Sequence, residues 1–528
     1  QLAAATPPNL DFGTPCETYK LLTFMRSSDP LTPNDNVIPV LDRFVRCITD
    51  ATAGVADRMA AIALPGREQS AFAEGVAAGD ATDSSAVFWT RLPDPSMGGS
   101  LDVSTDSTFA TGVETVAVST VTDGDGTVKA DVTGLAPHTK YFYRFRQGTA
   151  TSRVGQLVTA PLPADDTTTV RLGWSGDSNA FNQPFTSLDA IRQLNPDAWL
   201  YIGDTIYGDD PLADGVVAQT IPEYEAKYRA NRRDAALRNI MAAMGTYSQW
   251  DDHEVRNDFA GAVPVFASRM AAGNFAFRRY QPIREDGTDP MRLFRSFQWG
   301  SGVEFFLLDD RQHRSAKFTC CTDSSLSGFV STDASSTCPG GLDGEALLPS
   351  ASCASTMADP SRTILGAAQK QWLKNSLLNS TATFKFIMNG PPITELLFDP
   401  YDRWEAWPAE RSDILDFIQS NNIKNVIWLS TDLHAVVISP QQVDATHQTP
   451  ELVSGSIGEQ TLFRELPPSI ASLLPSLPGL ITQVSEFDLD RFNVVLITVT
   501  PGSAATAQFD FLDRTGAVIH SVTFNAAP

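Results

Sequence analysis

The sequence predicts an α/β protein with a small β-sandwich in front of it. Two patterns and the chain's length carry this reading. From about residue 167, short apolar runs alternate with helix-like stretches, which is the signature of α/β architecture. Ahead of that, residues 67–162 hold strand-like runs separated by Gly, Asp, Ser and Pro turns. The 528 residues also exceed one ordinary domain.

Residues 1–66 are irregular, with Pro and Asp breaks and a helix-forming stretch at Val55–Leu64. They read as an arm that packs on a neighbouring domain. In residues 67–162 the clearest strand is Ala86–Leu92. Leu135, Pro137, Thr139 and Tyr141 lead into an alternating run, Tyr141–Arg146, that resembles the late strands of a fibronectin type III module. Pro161–Asp166 reads as the linker out of it.

Residues 163–528 form the main domain. Six apolar runs there each end in a polar cluster. Val170–Trp174 leads to Ser175–Asn179, and Ala198–Ile202 to Gly203–Tyr207. Tyr247–Trp250 leads to Asp251–Asp258, and Val303–Leu308 to Asp309–Arg311. Lys385–Met388 leads to Asn389–Pro391, and Asn425–Leu429 to Ser430–His434. Helix-like stretches such as Pro222–Ala243 and Ala367–Leu378 lie between them. Open α/β sheets place their sites just beyond strand C-termini. Residues 317–358, rich in Ser, Thr, Gly and Cys, read as an insertion pinned by disulfides.

Composition narrows the function. Hydrophobic residues make up 42% and charged residues 19%, which are globular values. No run of about 18 apolar residues occurs, so no membrane span is expected. The net charge of −23 argues against a nucleic-acid polymer as partner. Small phosphate esters remain open, because bound cations invert a local field. Six cysteines fall in two regions and fit disulfides made in an oxidising compartment. Cys16–Cys47 is one expected pair; Cys320 and Cys321 each pair with Cys338 or Cys353, in an order left open. Together with a start at Gln1, this reads as a mature secreted form, periplasmic or extracellular. The oligomeric state is unknown.

The polar clusters carry the chemistry. Asp177 and Asp204 each follow a strand and a glycine, so neighbouring strands present carboxylates side by side. Asp204 is the candidate bridge between two cations, and Tyr207 a candidate phenolate ligand. In the cluster from Trp250 to Asp258, Asp252 is placed to bind metal. His253 is placed to protonate a leaving oxygen, and Arg256 to neutralise phosphate. Asp432 and His434 lie two apart, and on an extended backbone such side chains point the same way and converge on one ion. His138, His313, His447 and His520 lack such company. Single turns rich in Gly and Asp are common in any protein; the ordered set is the signal.

At these residues the chain resembles the alkaline phosphatase D (PhoD-like) family of calcineurin-like metallophosphatases. The resemblance rests on Gly203-Asp204-Thr205-Ile206-Tyr207, Trp250-Asp251-Asp252-His253-Glu254 and Leu308-Asp309-Asp310-Arg311. Leu365-Gly366-Ala367-Ala368-Gln369, Asp402-Arg403-Trp404 and Asp432-Leu433-His434 extend it. Gly75–Asp80 and Trp89–Leu92 resemble the family's accessory domain, so the likeness spans about residues 70–505. It implies a metallophosphatase β-sandwich with flanking helices, of α/β (α+β) class. It also implies a secreted phosphomonoesterase or phosphodiesterase acting through a metal-activated water on two or more metal ions.

Asp177, Asp204, Tyr207, Asp252, Asp432 and His434 are the implied metal ligands. Calcium or iron leads as the cofactor, with manganese or magnesium as alternatives. His253, Arg256 and Arg311 are the implied catalytic residues, the two arginines as candidate phosphate clamps, and Asn389 adds a hydrogen bond or metal contact. One departure stands out. Family members with an iron site often carry Cys in the first motif, where this chain has Ser175-Gly176-Asp177-Ser178-Asn179. The rival reading is a non-catalytic extracellular binding or assembly protein on the same fold.

Overall fold

A computed structural model describes residues 71–120, 125–211, 215–317, 354–396 except 356, 401–465 and 483–527. The N-terminal arm with its Val55–Leu64 helix, all six cysteines with their expected disulfides, and nearly all of the 317–358 insertion lie outside these residues.

Two large sheets face each other. The first runs, edge to edge, through Val518–Asn525, Thr506–Leu512, Val494–Thr500, Val170–Ser175, Ala198–Ile202, Gly245–Gln249, Val76–Gly79, Ser85–Arg91 and Thr127–Thr133. The second runs through Arg295–Trp299, Val303–Leu307, Phe384–Asn389, Val426–Ser430, Glu451–Val453, Val436–Ser439 and Glu486–Asp488. The centre of each is parallel.

Strand alternation explains the layering. Leu200 and Ile202 point into the core between the sheets, with Leu172, Trp174, Phe305, Phe386, Leu429 and Phe509. Trp199 and Tyr201, one residue out of phase, join the helices outside. Helices Thr186–Gln193, Ile221–Asn231, Ala235–Ala243 and Ala267–Tyr280 cover the first sheet. Helices Gly366–Asn379 and Pro408–Ser420 cover the second. The architecture is the expected β-sandwich with flanking helices.

Two expectations need correction. The stretch 222–243 is two helices: the first ends at Asn231, and Asp234 caps the second by accepting from Leu237 N. The N-terminal sandwich is also not separate in its hydrogen bonding. Three of its strands extend the nine-stranded sheet, through Ala78 and Gly79 paired in parallel with Gly245 and Thr246. Its other face is a five-stranded sheet built on Gly99–Ser104, Glu114–Val118 and Lys140–Gln147. Among the described residues, no helix is long and apolar enough to cross a membrane.

Candidate metal centre

The loops beyond the C-terminal ends of the central parallel strands meet in one buried cluster. Ligand-type atoms of Asp177, Asp204 and His434 all lie within 4.8 Å of one another. The same 4.8 Å limit holds for Asp204, Asp252 and His253, for Asp251, Asp252 and Asp432, and for Asp252, Asp258 and Asp402. Asp204 belongs to the first two groups and Asp252 to the last three. Adjoining groups thus share these two carboxylates.

The backbone is bent sharply to achieve this. Asp177, Asp204, Asp432 and His434 have φ of 62°, 45°, 63° and 53°. That left-handed region is uncommon outside glycine and clusters at functional sites. Hydrogen bonds from behind hold the bends. Ser178 N donates to Asp204 O at 3.0 Å, and the Asn231 amide donates to both Ser178 O and Thr205 O at 2.8 and 2.6 Å. Glu254, fully buried, accepts from Thr205 N and Thr205 Oγ1 at 2.6 Å and from Asp251 N at 2.8 Å. It thereby ties the Gly203–Tyr207 loop to the Asp251–Asp258 loop.

These residues fit a cation. Asp177 Oδ2, Asp251 Oδ2 and Asp252 Oδ1 are buried and receive no hydrogen bond. Buried carboxylate oxygens are otherwise almost always paired. Glycine backbone lies against two of them: a β-carbon on Gly455 would overlap Asp177 Oδ2, and one on Gly390 would overlap Asp251 Oδ2. Burial pushes Asp177 up to about 7 against the pull of His434, and Asp251 up to about 6 against that of Arg311. Burial also raises Asp204 and Asp432 well above the carboxylate range. A positive ion among them relieves this cost. The donor set is mainly oxygen, which suits hard cations.

Neighbouring carboxylates orient both histidines. His434 Nδ1 lies 2.7 Å from Glu465 Oε1, and its Nε2 lies 3.0 Å from Tyr207 Oη. Burial opposes protonation of His434, but Glu465 and then Asp177 outweigh it and raise the imidazole to about 10. His253 Nδ1 lies 2.7 Å from Asp209 Oδ1, whose other oxygen accepts from Asn257 N at 2.7 Å. The Tyr207 ring lies against His253, with centroids 4.2 Å apart.

Three sequence readings change here. Asp432 and His434 do not share an ion-sized group: Asp432 joins Asp251 and Asp252, while His434 joins Asp177 and Asp204. Their left-handed φ values remove the extended backbone that would have aimed both one way. Arg311 is not placed to clamp phosphate, because it is fully buried and ion-paired with Asp251, Asp252, Asp402 and Asp432. His447 does have company, 2.8 Å from Asp444 and 3.2 Å from Asp416, but neither belongs to the metal-type groups.

Arg256 is half-buried, its guanidinium 4.8 Å above the Phe266 ring, four residues beyond Asp252. Asn389 is occupied with the fold: its amide donates to Pro391 O and to Ser430 Oγ at 3.2 Å, and its oxygen accepts from Trp404 Nε1 at 3.1 Å. Sequence reasoning gave no role to Asp209, Asp251, Glu254, Asp402 or Glu465. Asp251 and Glu254 lay in view, in the same acidic motif as Asp252. Asp209, two residues past Tyr207, had only its proximity to that motif. Glu465 had no signal, since it reaches His434 from a distant helix, Leu462–Glu465.

The model of the PhoD-like phosphatase family matches residues 172–509, and that of its N-terminal domain matches residues 59–161. Alkaline phosphatase D of Bacillus subtilis (strain 168) is 28% identical over 426 residues, covering 72% of this chain and 67% of the relative. A solved structure of PhoD superposes with a TM-score of 0.70 at 24% identity, over 88% of this chain and 90% of that one. A purple acid phosphatase from yellow lupin (Lupinus luteus) seeds superposes with a TM-score of 0.54 at 12% identity, over 85% and 73% of the two chains.

Proposed function

The chain belongs to the PhoD-like phosphatase family and is a phosphoesterase; from that premise we propose that it is a secreted enzyme that hydrolyses small phosphate esters with bound metal ions. The observation that carries the metal dependence is the shared use of Asp204 and Asp252 by adjoining ion-sized groups, with buried oxygens on Asp177, Asp251 and Asp252 that receive no hydrogen bond. Asp177, Asp204, Tyr207 and His434 would hold one ion, and Asp204 and Asp252 a second, with Asp432 beside it. Calcium or iron leads, with manganese and magnesium as alternatives. Bound cations supply positive charge that offsets phosphoryl charge and makes a water nucleophilic near neutral pH.

The chain's own groups do the rest. Asp209 engages His253 Nδ1, which leaves Nε2 to carry the proton given to the leaving oxygen. Arg256 makes no ion pair among the described residues and offers its guanidinium to a phosphate oxygen. Glu254 and Asn231 keep the ligand loops in register, so the carboxylates need little rearrangement on binding. The cysteines and the acidic surface support secretion. Thiol titration of the unfolded, unreduced chain tests that part, and free thiols would count against it.

The central test is elemental analysis of protein purified without chelator, alongside turnover of p-nitrophenyl phosphate and bis(p-nitrophenyl) phosphate. Two or more ions per chain, activity lost to chelator and activity regained with metal are the expected results. Full turnover in chelator would overturn the metal dependence.

A further inference from the structure

We infer that Arg311 is a resident cation of the acidic cluster: its guanidinium holds a place beside Asp251, Asp252 and Asp432 that a divalent ion would otherwise take, and so limits how many ions the cluster binds. The inference rests on the metal-dependent reading above.

Arg311 follows the strand Val303–Leu307 by a tight turn. Asp309 Oδ1 pins that turn by accepting from Trp250 Nε1 at 2.8 Å and from Arg311 N at 3.3 Å. The side chain is fully buried. Nε donates to Asp251 Oδ1, Nη1 to Asp402 Oδ2 at 2.9 Å and Nη2 to Asp432 Oδ1 at 3.1 Å, while Nη2 also stands 3.5 Å from Asp252 Oδ1. Each of the three nitrogens thus donates to a carboxylate.

Asp402 in turn is held by Arg314, whose Nη1 donates to Oδ2 at 3.2 Å and whose guanidinium lies 4.3 Å over the Trp407 ring. The Arg311 guanidinium is therefore braced on its far side and cannot swing out toward a substrate. A buried guanidinium keeps its charge and is tolerated only among good partners.

The partners it uses are also the right distance apart for an ion. Ligand-type oxygens of Asp251, Asp252 and Asp432 lie within 4.8 Å of one another, and Asp251 Oδ2 and Asp252 Oδ1 still lack a hydrogen bond. One fixed positive charge among these carboxylates and Asp402 holds them together before any metal arrives.

The test is calcium content per chain, by elemental analysis after desalting from excess CaCl2, with melting temperature measured across the same calcium series. Arg311→Met keeps the aliphatic stem and removes the charge; Arg311→Lys keeps the charge. Arg311→Met should hold one more calcium ion than the wild type and gain more thermal stability from calcium. Arg311→Lys should keep the wild-type count. The inference is overturned if Arg311→Met carries the wild-type number of ions, or stays unfolded at every calcium concentration. A wild-type chain that binds no divalent ion at all would instead overturn the metal-dependent reading, so the two failures are distinct.

Discussion

Gly455 lies directly against the Asp177 carboxylate: a β-carbon on it would overlap the one Asp177 oxygen that receives no hydrogen bond. Gly390 stands in the same relation to Asp251 Oδ2. Gly390 is the cleaner of the two to change, because Gly455 also has a φ of 140°. Gly390→Ala should displace the Asp251 carboxylate while the strands on either side stay in place. Asp251 carries Arg311 and, through Glu254, the ligand loops, so metal affinity should fall about 10–100-fold, the usual cost of disturbing a group that supports the ligands. Calorimetric titration with calcium or manganese measures this, and an unchanged affinity would show that Asp251 does not support the ion sites.

His253→Ala should keep bound metal and slow the hydrolysis of esters with poor leaving groups. Loss of a general acid costs about 10²–10⁴-fold. Nitrophenyl esters need little proton donation and should suffer less. Asp209→Asn should shift the same leaving-group dependence by a smaller amount, since it disturbs only the group that orients Nδ1. Equal losses for both ester types would make His253 a structural residue.

Removing metal should cost stability as well as activity. Without a cation, Asp177, Asp204 and Asp251 stay buried and Asp432 half-buried, all four with raised proton affinities. An ion at 100 times its dissociation constant stabilises the folded chain by about 2.7 kcal/mol. Scanning calorimetry should therefore show a lower melting temperature in chelator, restored by adding metal back. Coincident melting curves would be incompatible with ions bound at these carboxylates.

The strand-end loops are legible because six apolar runs in succession each stop at a polar cluster, and the ordered set carries a signal that no single turn does. The parallel strands Val170–Ser175 and Ala198–Ile202, with Asp177 and Asp204 just beyond, lie where the sequence places them. What stayed hidden depends on backbone direction and on long-range pairing. A left-handed φ at Asp432 and His434 leaves no trace in residue spacing, so the two were assigned to one ion. The strand-end position of Arg311 suggests a phosphate clamp; only the assembled fold brings four carboxylates onto it. The merging of the N-terminal sandwich into the main sheet was likewise invisible, since it rests on a short parallel contact between residues more than 160 positions apart.

Away from the metal centre, Asp102 gives a pH-dependent prediction. Its side chain is buried in the five-stranded sheet, where Arg146 Nη2 donates at 2.7 Å, Arg144 Nε at 3.0 Å and Thr115 Oγ1 at 2.9 Å. Burial alone would raise its pKa, but the hydrogen bonds from Arg146 and Arg144 win and hold it below the usual carboxylate value. A depressed folded-state pKa means the stabilisation is present above the unfolded value of about 3.9 and is lost as the pH falls through the folded value. Asp102→Asn should therefore weaken this sheet by about 1–2 kcal/mol at pH 6, with both arginines partly exposed and so partly screened. The gap between wild type and variant should narrow below about pH 4. Hydrogen exchange of the amides in Gly99–Ser104 and Lys140–Gln147 reads the local stability without requiring the whole chain to unfold in one step. A gap that stays constant, or widens in acid, would mean that the charge on Asp102 is not what holds the three strands together.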